Sequence, residues 1–224
     1  MRTAPAGARH LSISDIDDTI VPTGVANKPK MPWRLYFANG EGHRPFPGMD
    51  TLLRGLHAGG NGTARNPIFY LSRSPWGIYP LLQDFFNRHD PLRHGAVARL
   101  GISWHHTLPR RAADHKNRMI GNVMQALPGL PTVLIGDSGQ HDPEVYADVV
   151  RRFLDRVCVV YIRNLSLSSQ RSEELNDMRD LLAAESIDFV ISSDTQGFVT
   201  HATEQSLMPP PPEPRTAPDV QTTP

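Results

Sequence analysis

The sequence predicts an α/β domain built on a doubly wound, mostly parallel β-sheet. Short apolar runs with strand character recur along the chain, and segments with apolar residues at helical spacing separate them. The strand candidates are HLSISDI, PIFYLS, AVARLGIS, TVLIGD, CVVYIR and IDFVIS. The helix candidates are MDTLLRGLHAG, IYPLLQDFFNRH, DHKNRMIGNVMQAL, EVYADVVRRFL and SEELNDMRDLLAAE. This alternation is typical of βα units and a parallel sheet.

Local sequence features support these elements in turn. The first strand candidate, LSISDI, alternates apolar and polar residues. The helix that follows it ends at the pair Gly59–Gly60, and the helix in DHKNRMIGNVMQAL ends at Pro128–Gly129. Asp142 directly before Pro143 is a common start for a helix such as EVYADVVRRFL. The continuous apolar run VCVVYI is typical of a strand that is buried on both faces.

The chain of 224 residues is long enough for one such domain with its own core. We expect the folded catalytic unit to span residues 8–207. From residue 208 to residue 224 the sequence is rich in proline and poor in apolar residues, as in MPPPPEPRTAPDVQTTP. Residues 208–224 are therefore expected to be a disordered tail.

Composition excludes several classes of function. The formal net charge is zero, so no bulk attraction to nucleic acid is implied. A single cysteine, Cys158, rules out a disulfide framework, and its apolar surroundings predict a buried thiol in a reducing compartment. No stretch is long and apolar enough to span a bilayer, and residues 1–10 lack the apolar core of a leader. We expect a cytoplasmic protein.

Polar residues follow the strand candidates at their carboxyl ends, where a doubly wound sheet binds its ligands. Asp15 and Asp17 follow the first strand on a shared face, Ser72 ends the second, and Asp137 ends TVLIGD. Lys116, placed in the first turn of the helix that opens at DHKN, would reach across to them. Two acids at this spacing suit phosphoryl transfer, in which one carboxylate attacks phosphorus and the other exchanges protons.

The same chemistry needs donors and a cation to offset charge on the phosphoryl oxygens. Lys116, Ser72 and the turn from Asp17 to Thr19 would bind those oxygens. Mg²⁺ prefers oxygen ligands, so Asp15, Asp137 and the carbonyl of Asp17 would bind it, with Asp142 ordering its waters. Asp18, between the two, is interpreted as a solvated or turn-forming residue.

Plainer interpretations of these residues stay open at this point. Ser72 can be an ordinary turn or helix-capping serine, and Lys116 a surface lysine. Asp137 and Asp142 can merely cap the helix at Pro143. The basic stretch 88–118 can be a solvated face or an anion-collecting rim. The aromatic residues of PWRLYFANG can pack as a small flap over the site or contact a membrane.

Four motifs occur in the order found in one known superfamily. DIDDT, the serine that ends IFYLS, Lys116 in HK, and GDSGQHD resemble the motifs of the haloacid dehalogenase superfamily of phosphatases. More narrowly, YLSRSPWGIYPLLQDFF, HKNRMI and LIGDSGQHDPEVYADVV, followed by YIRN, resemble the catalytic domain of the actin-patch-associated phosphatidate phosphatases. The resemblance implies a Rossmann-like fold, Mg²⁺ dependence, Asp15 as nucleophile and Asp17 as general acid and base. The segments between DIDDT and Ser72 and between Ser72 and Lys116 are too short for a full cap domain, so we expect a minimal cap.

The resemblance also implies a reaction, the hydrolysis of phosphatidate to diacylglycerol and phosphate by way of an aspartyl-phosphate. The substrate would be a phospholipid met at a membrane surface, so the protein is expected to be cytoplasmic and able to associate peripherally. Two alternatives stay open. One is a phosphatase for soluble phosphomonoesters, such as sugar phosphates or nucleotides. The other is a non-catalytic interaction module that uses the polyproline stretch PPPPEP.

Overall fold

The computed structural model describes residues 4–22, 44–72, 84–87, 96–99, 109–139, 141–165 and 168–212, with the backbone alone for residues 96–99 and 109–112. Its strands are β1 (Leu11–Asp15), β2 (Ile68–Ser72), β3 (Ala96–Arg99), β4 (Thr132–Asp137), β5 (Val157–Arg163) and β6 (Asp188–Ser192). Its helices are α1 (Met49–Ala58), α2 (Pro109–Ala126), α3 (Asp142–Arg152), α4 (Ser169–Ala183) and α5 (Thr195–Glu204). A short 3₁₀ turn, Leu154–Arg156, leads into β5.

The six strands form one sheet in the order β3-β2-β1-β4-β5-β6, and each neighbouring pair is parallel. The chain builds the sheet outward from β1 in one direction, then crosses over and builds outward from β4 in the other. The order therefore reverses between β1 and β4, and the crevice at such a reversal is where doubly wound sheets bind ligands. The predicted doubly wound α/β fold is confirmed.

Helices cover both faces of the sheet. Helices α1 and α5 pack on one face, over side chains that include Tyr70, Ile135 and Tyr161. Helices α2, α3 and α4 pack on the other, over side chains that include Ile13, Leu134 and Val160. The central strands are buried on both sides, because apolar residues alternate between the two cores. The carboxyl ends of β1 and β4 are thus held in a rigid frame.

Two helices differ from the sequence-based expectation. Helix α5 was not predicted, because its sequence TQGFVTHATE mixes three threonines, a glycine and a histidine among few apolar residues. It buries Phe198, Val199 and Ala202, so tertiary packing stabilises a segment of weak helical pattern. Helix α2 begins at Pro109, five residues before the expected start at Asp114. Of the predicted helix IYPLLQDFFNRH, the structure describes a helical turn at residues 84–87.

The folded unit reaches Met208, one residue past the boundary expected from composition. Met208 is 2% exposed and packs against α1. A Cβ on Gly55 would lie 2.4 Å from Met208 Cε, and a Cβ on Gly60 would lie 2.2 Å from the carbonyl oxygen of Ser206. The two glycines therefore let the segment after α5 lie directly on α1 and on the turn that follows it.

Two compositional expectations can be compared with the structure. Cys158 is free and half-buried, its Sγ donates to the Thr132 carbonyl at 3.3 Å, and burial raises the pKa of its thiol to about 11. The thiol therefore stays protonated and unreactive at neutral pH. Within the described ranges, no helix has both the length and the apolar character that a membrane crossing requires.

Candidate active site

The carboxyl end of β1 carries the first acidic pair. Asp15 is the last residue of the strand, and Asp17 lies in the turn that follows; both are almost fully buried. The turn closes through hydrogen bonds from the Asp18 amide to the Val21 carbonyl and from the Ile20 amide to the Ile16 carbonyl. Asp18 adopts a φ of 56° and is 4% exposed, so it forms the turn as expected but is not solvated.

Lys116 brings two distant parts of the chain together. Its ammonium donates to Asp15 Oδ1 at 2.6 Å and to Asp142 Oδ1 at 2.5 Å, and all three side chains are buried. Lys116 lies about two turns inside α2, not in the first turn, because the helix starts earlier than expected. The interpretation of Lys116 as a surface lysine is therefore wrong.

The loop between β4 and α3 supplies the remaining acids. Asp137 ends β4, and its Oδ1 accepts from the Gly139 amide at 2.7 Å. Asp142 is the first residue of α3, and its Oδ2 accepts from the Asp137 amide at 3.4 Å. The residue that caps α3 is His141, without a side-chain capping bond. The carboxylate of Asp142 therefore points to Lys116 rather than capping the helix.

Gly136 makes room for this arrangement. A Cβ at position 136 would lie 2.5 Å from Asp142 Oδ2 and 2.8 Å from Tyr146 Cε2. Tyr146 is fixed by a hydrogen bond from its hydroxyl to the Ile135 carbonyl at 2.8 Å, and its ring centroid lies 5.7 Å from Lys116 Nζ. The acid and the ring leave no space for a side chain between them.

The site holds more buried carboxyl groups than buried cations. Burial and then the charges of Asp142 and Asp15 raise the pKa of Asp137 to about 8. Burial disfavours the charge on Lys116, but the carboxylates of Asp142 and Asp15 outweigh it and raise its pKa. Five buried carboxyl groups, those of Asp15, Asp17, Asp18, Asp137 and Asp142, lie at this end of the sheet with two buried cations, Lys116 and Arg163. A further cation is the simplest way to offset the excess of negative charge.

Three of the acids are close enough to bind one metal ion. Carboxylate oxygens of Asp15, Asp137 and Asp142 lie within 4.8 Å of one another, and all three residues are buried. A donor set made only of carboxylate oxygens suits a hard divalent cation such as Mg²⁺. The carboxylate of Asp17 is not part of this group. The contribution expected from its backbone carbonyl stays a prediction.

The two hydroxyl residues expected to bind phosphate lie at the same edge of the sheet. Ser72 ends β2 next to β1 and is 3% exposed. Thr19 is 1% exposed, and within the described residues its Oγ1 has no hydrogen-bond partner. A buried hydroxyl without a partner is costly, so a ligand oxygen is a natural acceptor for Thr19.

One residue of this region was not assigned a role from the sequence. Arg163 ends β5, is 2% exposed, and donates from Nε to the carbonyl of Thr19 at 3.1 Å. The feature that would have identified it is an arginine at the carboxyl end of an otherwise apolar strand. Charged side chains are rarely buried unless they are paired or hydrogen-bonded.

Some expectations fall outside the described residues. The aromatic flap with Trp33, Tyr36 and Phe37, most of the basic stretch 88–118, the extent of the cap, and the tail from residue 213 onward are among them. Their roles stay predictions.

The doubly wound sheet brings these acids and this lysine together at its switch point, which is the arrangement that the resemblance to the haloacid dehalogenase superfamily implies. Comparison with known protein families identifies the family to which the chain belongs. The family described as "Phosphatidate phosphatase APP1, catalytic domain" matches residues 11–164, which include all the site residues predicted from the sequence. The chain belongs to this family.

Two curated fungal proteins are similar to the chain. It is 28% identical over 175 residues to the phosphatidate phosphatase APP1 of Saccharomyces cerevisiae, covering 76% of this chain and 29% of that protein. It is 27% identical over 154 residues to an uncharacterized protein of Schizosaccharomyces pombe, covering 68% of this chain and 25% of that protein. The chain thus spans less than a third of the length of either relative. No solved structure matches it significantly.

Proposed function

We propose that the protein is a Mg²⁺-dependent phosphatase that acts through an aspartyl-phosphate on Asp15, with phosphatidate as its substrate. The observation that carries the proposal is the buried contact of 2.6 Å between Asp15 Oδ1 and Lys116 Nζ at the switch point of the sheet. A carboxylate nucleophile must be ionised and held in one orientation, and a buried ammonium on one of its oxygens favours both. The similarity to the yeast phosphatidate phosphatase supports the substrate.

The reaction has two steps. In the first, the Asp15 carboxylate attacks phosphorus, a bond forms between phosphorus and the Asp15 oxygen, and the bond to the leaving alcohol breaks. Asp17 donates a proton to the leaving oxygen, which for phosphatidate yields diacylglycerol. In the second step a water gives its proton to Asp17 and attacks phosphorus, and the bond to Asp15 breaks to release phosphate.

The other residues stabilise charge. Lys116 would hold the Asp15 carboxylate, and Thr19 and Ser72 would donate hydrogen bonds to the phosphoryl oxygens. Mg²⁺ would be held by Asp15, Asp137 and the carbonyl of Asp17, with Asp142 beside them, and would offset charge on the phosphoryl group. We assign this activity to the unit from residue 8 to Met208. The lipid would be met at a membrane surface by peripheral association, and with zero net charge no nucleic-acid partner is proposed.

A substrate panel tests the proposal. Phosphate release is measured from phosphatidate in detergent micelles, from sugar phosphates and from nucleotides, with Asp15→Asn as the blank. We expect the highest kcat/KM on phosphatidate, loss of activity with EDTA, recovery with Mg²⁺ and poor recovery with Ca²⁺, whose larger and looser shell fits in-line transfer less well.

The other outcomes identify the alternatives. Higher kcat/KM on a sugar phosphate or a nucleotide would favour a phosphatase for soluble phosphomonoesters. No phosphate release from any substrate by folded, Mg²⁺-loaded protein would favour the non-catalytic interaction module. Full activity after exhaustive chelation would contradict the metal dependence.

A further inference from the structure

The guanidinium of Arg163 is enclosed at the carboxyl end of β5. Its Nε donates to the Thr19 carbonyl at 3.1 Å, and its Nη2 donates to Thr195 Oγ1 at 2.8 Å. Its Cζ lies 4.0 Å from the centroid of the Phe46 ring, a stacking distance for a guanidinium on an aromatic face. Burial lowers the pKa of Arg163 to about 10, so the side chain is still charged at neutral pH.

The acceptor of the Nε bond belongs to the turn that carries Asp17. Thr19 follows Asp17 by two positions, and its carbonyl points to Arg163 while its hydroxyl has no partner within the described residues. The same turn is also held by the Phe46 amide, which donates to the Ile20 carbonyl at 2.8 Å. Arg163 and Phe46, on whose ring it stacks, therefore both bond to the turn after β1.

The backbone of Arg163 binds the second acidic loop. Its carbonyl accepts from the Ser138 amide at 3.0 Å, and in the sheet Arg163 is paired with Asp137. The side chain of Arg163 thus reaches the turn after β1, and its backbone holds the loop after β4. These are the two segments whose acids must meet at one phosphorus atom and one cation.

We propose that Arg163 is a positioning residue that fixes the turn of Asp17 and Thr19 relative to the loop of Asp137. The role rests on the proposed function, because it is a role in aligning those groups for phosphoryl transfer. Arg163 is 2% exposed, and its Nε and Nη2 donate to Thr19 and Thr195, so it acts through Thr19 and not on the substrate.

The geometry requires arginine rather than a positive charge alone. Nε and Nη2 are fixed in one plane and reach two acceptors on different segments, whereas a lysine offers one nitrogen at the end of a flexible stem. Arg163→Lys therefore keeps the charge and loses the two-point bond, and Arg163→Met loses both. Thr195→Val removes the acceptor of Nη2 without changing Arg163 itself.

Arg156 provides a matched control at the other end of the same strand. It precedes β5, is partly buried, and donates to the carbonyls of Leu130 and Leu127 at 2.8 and 3.0 Å. It lies at the edge of the sheet opposite the acids. Arg156→Met also removes an arginine bonded to backbone carbonyls, so it reports the cost of such a loss for the fold alone.

The first measurement uses hydrogen exchange and needs no substrate. The amides of Asp18, Ile20 and Val21 are hydrogen-bonded within the turn. We expect their exchange to accelerate on the order of tenfold in Arg163→Met, less in Arg163→Lys and Thr195→Val, and not at all in Arg156→Met. Wild-type exchange at these amides in folded Arg163→Met, or in Thr195→Val should Arg163→Met not fold, would overturn the proposal.

The second measurement is kinetic. We expect kcat to fall by about 10- to 100-fold in Arg163→Met with KM changed by less than about threefold, because a misplaced turn slows the chemical step more than it weakens binding. Wild-type kcat in Arg163→Lys would mean that charge is sufficient, and it would overturn the two-point role. If the wild-type protein releases no phosphate, the proposed function fails, and the exchange measurement still decides the role of Arg163.

Discussion

Lys116 Nζ lies 2.6 Å from Asp15 Oδ1, although 101 positions separate the two residues in the chain. The same ammonium lies 2.5 Å from Asp142 Oδ1, and exposure of the three side chains does not exceed 5%. Buried ion pairs of this kind are costly to break, since removing one partner leaves a charge that neither water nor protein compensates. Loss of Lys116 should therefore lower the stability of the fold as well as any activity of the site.

Lys116→Met should lower the free energy of unfolding by about 3–5 kcal/mol in EDTA, because two buried carboxylates lose their counter-charge. Adding Asp142→Asn should recover part of that loss, which a double-mutant cycle measures as a coupling energy. Urea unfolding supplies the values.

The control for Lys116 is Arg151→Met, which breaks an exposed ion pair with Asp148 and should cost below about 1 kcal/mol. Equal losses in Lys116→Met and Arg151→Met would mean that the buried contacts contribute no more than a surface pair.

Substitution of Asp15 and of Asp17 should distinguish the role of a nucleophile from that of a general acid and base. Asp15→Asn should abolish turnover and leave no phosphoenzyme, because an amide does not attack phosphorus. Asp17→Asn should slow turnover by on the order of 10²-fold or more, because proton transfer is lost in both steps. Rapid acid quench with a labelled substrate measures both quantities. Near-normal turnover in Asp15→Asn would contradict the mechanism, and Asp148→Asn on the exposed face of α3 is the matched control.

Gly136→Ala should damage the site and also lower the free energy of unfolding by about 1–3 kcal/mol, because the added Cβ overpacks a buried position. The added Cβ would lie 2.5 Å from Asp142 Oδ2, so the carboxylate must shift from the position in which its Oδ1 contacts Lys116. We expect kcat/KM to fall by about 10- to 100-fold and the Mg²⁺ concentration for half-maximal activity to rise.

The control for Gly136 is Gly121→Ala within α2, where a Cβ would come no closer than 3.4 Å to the Arg152 side chain. That change should leave activity intact and keep or slightly raise stability. A Gly136→Ala enzyme with wild-type kinetics would show that Asp142 needs no fixed position.

The sequence was sufficient to predict the fold class and to bring the right acids to one end of the sheet. Strand residues repeat a local pattern, and in a doubly wound sheet the carboxyl ends of parallel strands meet at one edge. Asp15, Asp137 and Lys116 could therefore be grouped without knowing any distance.

Contacts made across the sheet could not be predicted in the same way. Arg163 and Thr19 lie 144 positions apart, and no local pattern links them. Helix α5 could not be predicted for a related reason. Its stability comes from the core it packs on and not from its own periodicity. The role of Gly136 could not be predicted, because it depends on the positions of Asp142 and Tyr146 in the folded protein.

His10 lies at the end of the sheet opposite the acids. It should make the free energy of unfolding depend on pH. It precedes β1, is 4% exposed, and contacts Asn66 Nδ2 at 3.1 Å. Burial lowers its pKa from 6.5 to about 4, so between these values the unfolded chain binds a proton that the folded protein does not. Stability from this group is therefore full above about pH 6.5 and is lost as pH falls toward 4.

His10→Gln should remove most of this dependence, because glutamine does not titrate. We expect the wild-type protein to lose about 2 kcal/mol more than His10→Gln between about pH 7.5 and pH 5. His57→Gln is the control. The ring of His57 also contacts Asn66, at the Asn66 carbonyl, but His57 is less buried than His10. Urea unfolding of the three proteins at both pH values gives the comparison. Parallel losses in wild type and His10→Gln would show that His10 does not titrate in this range on unfolding.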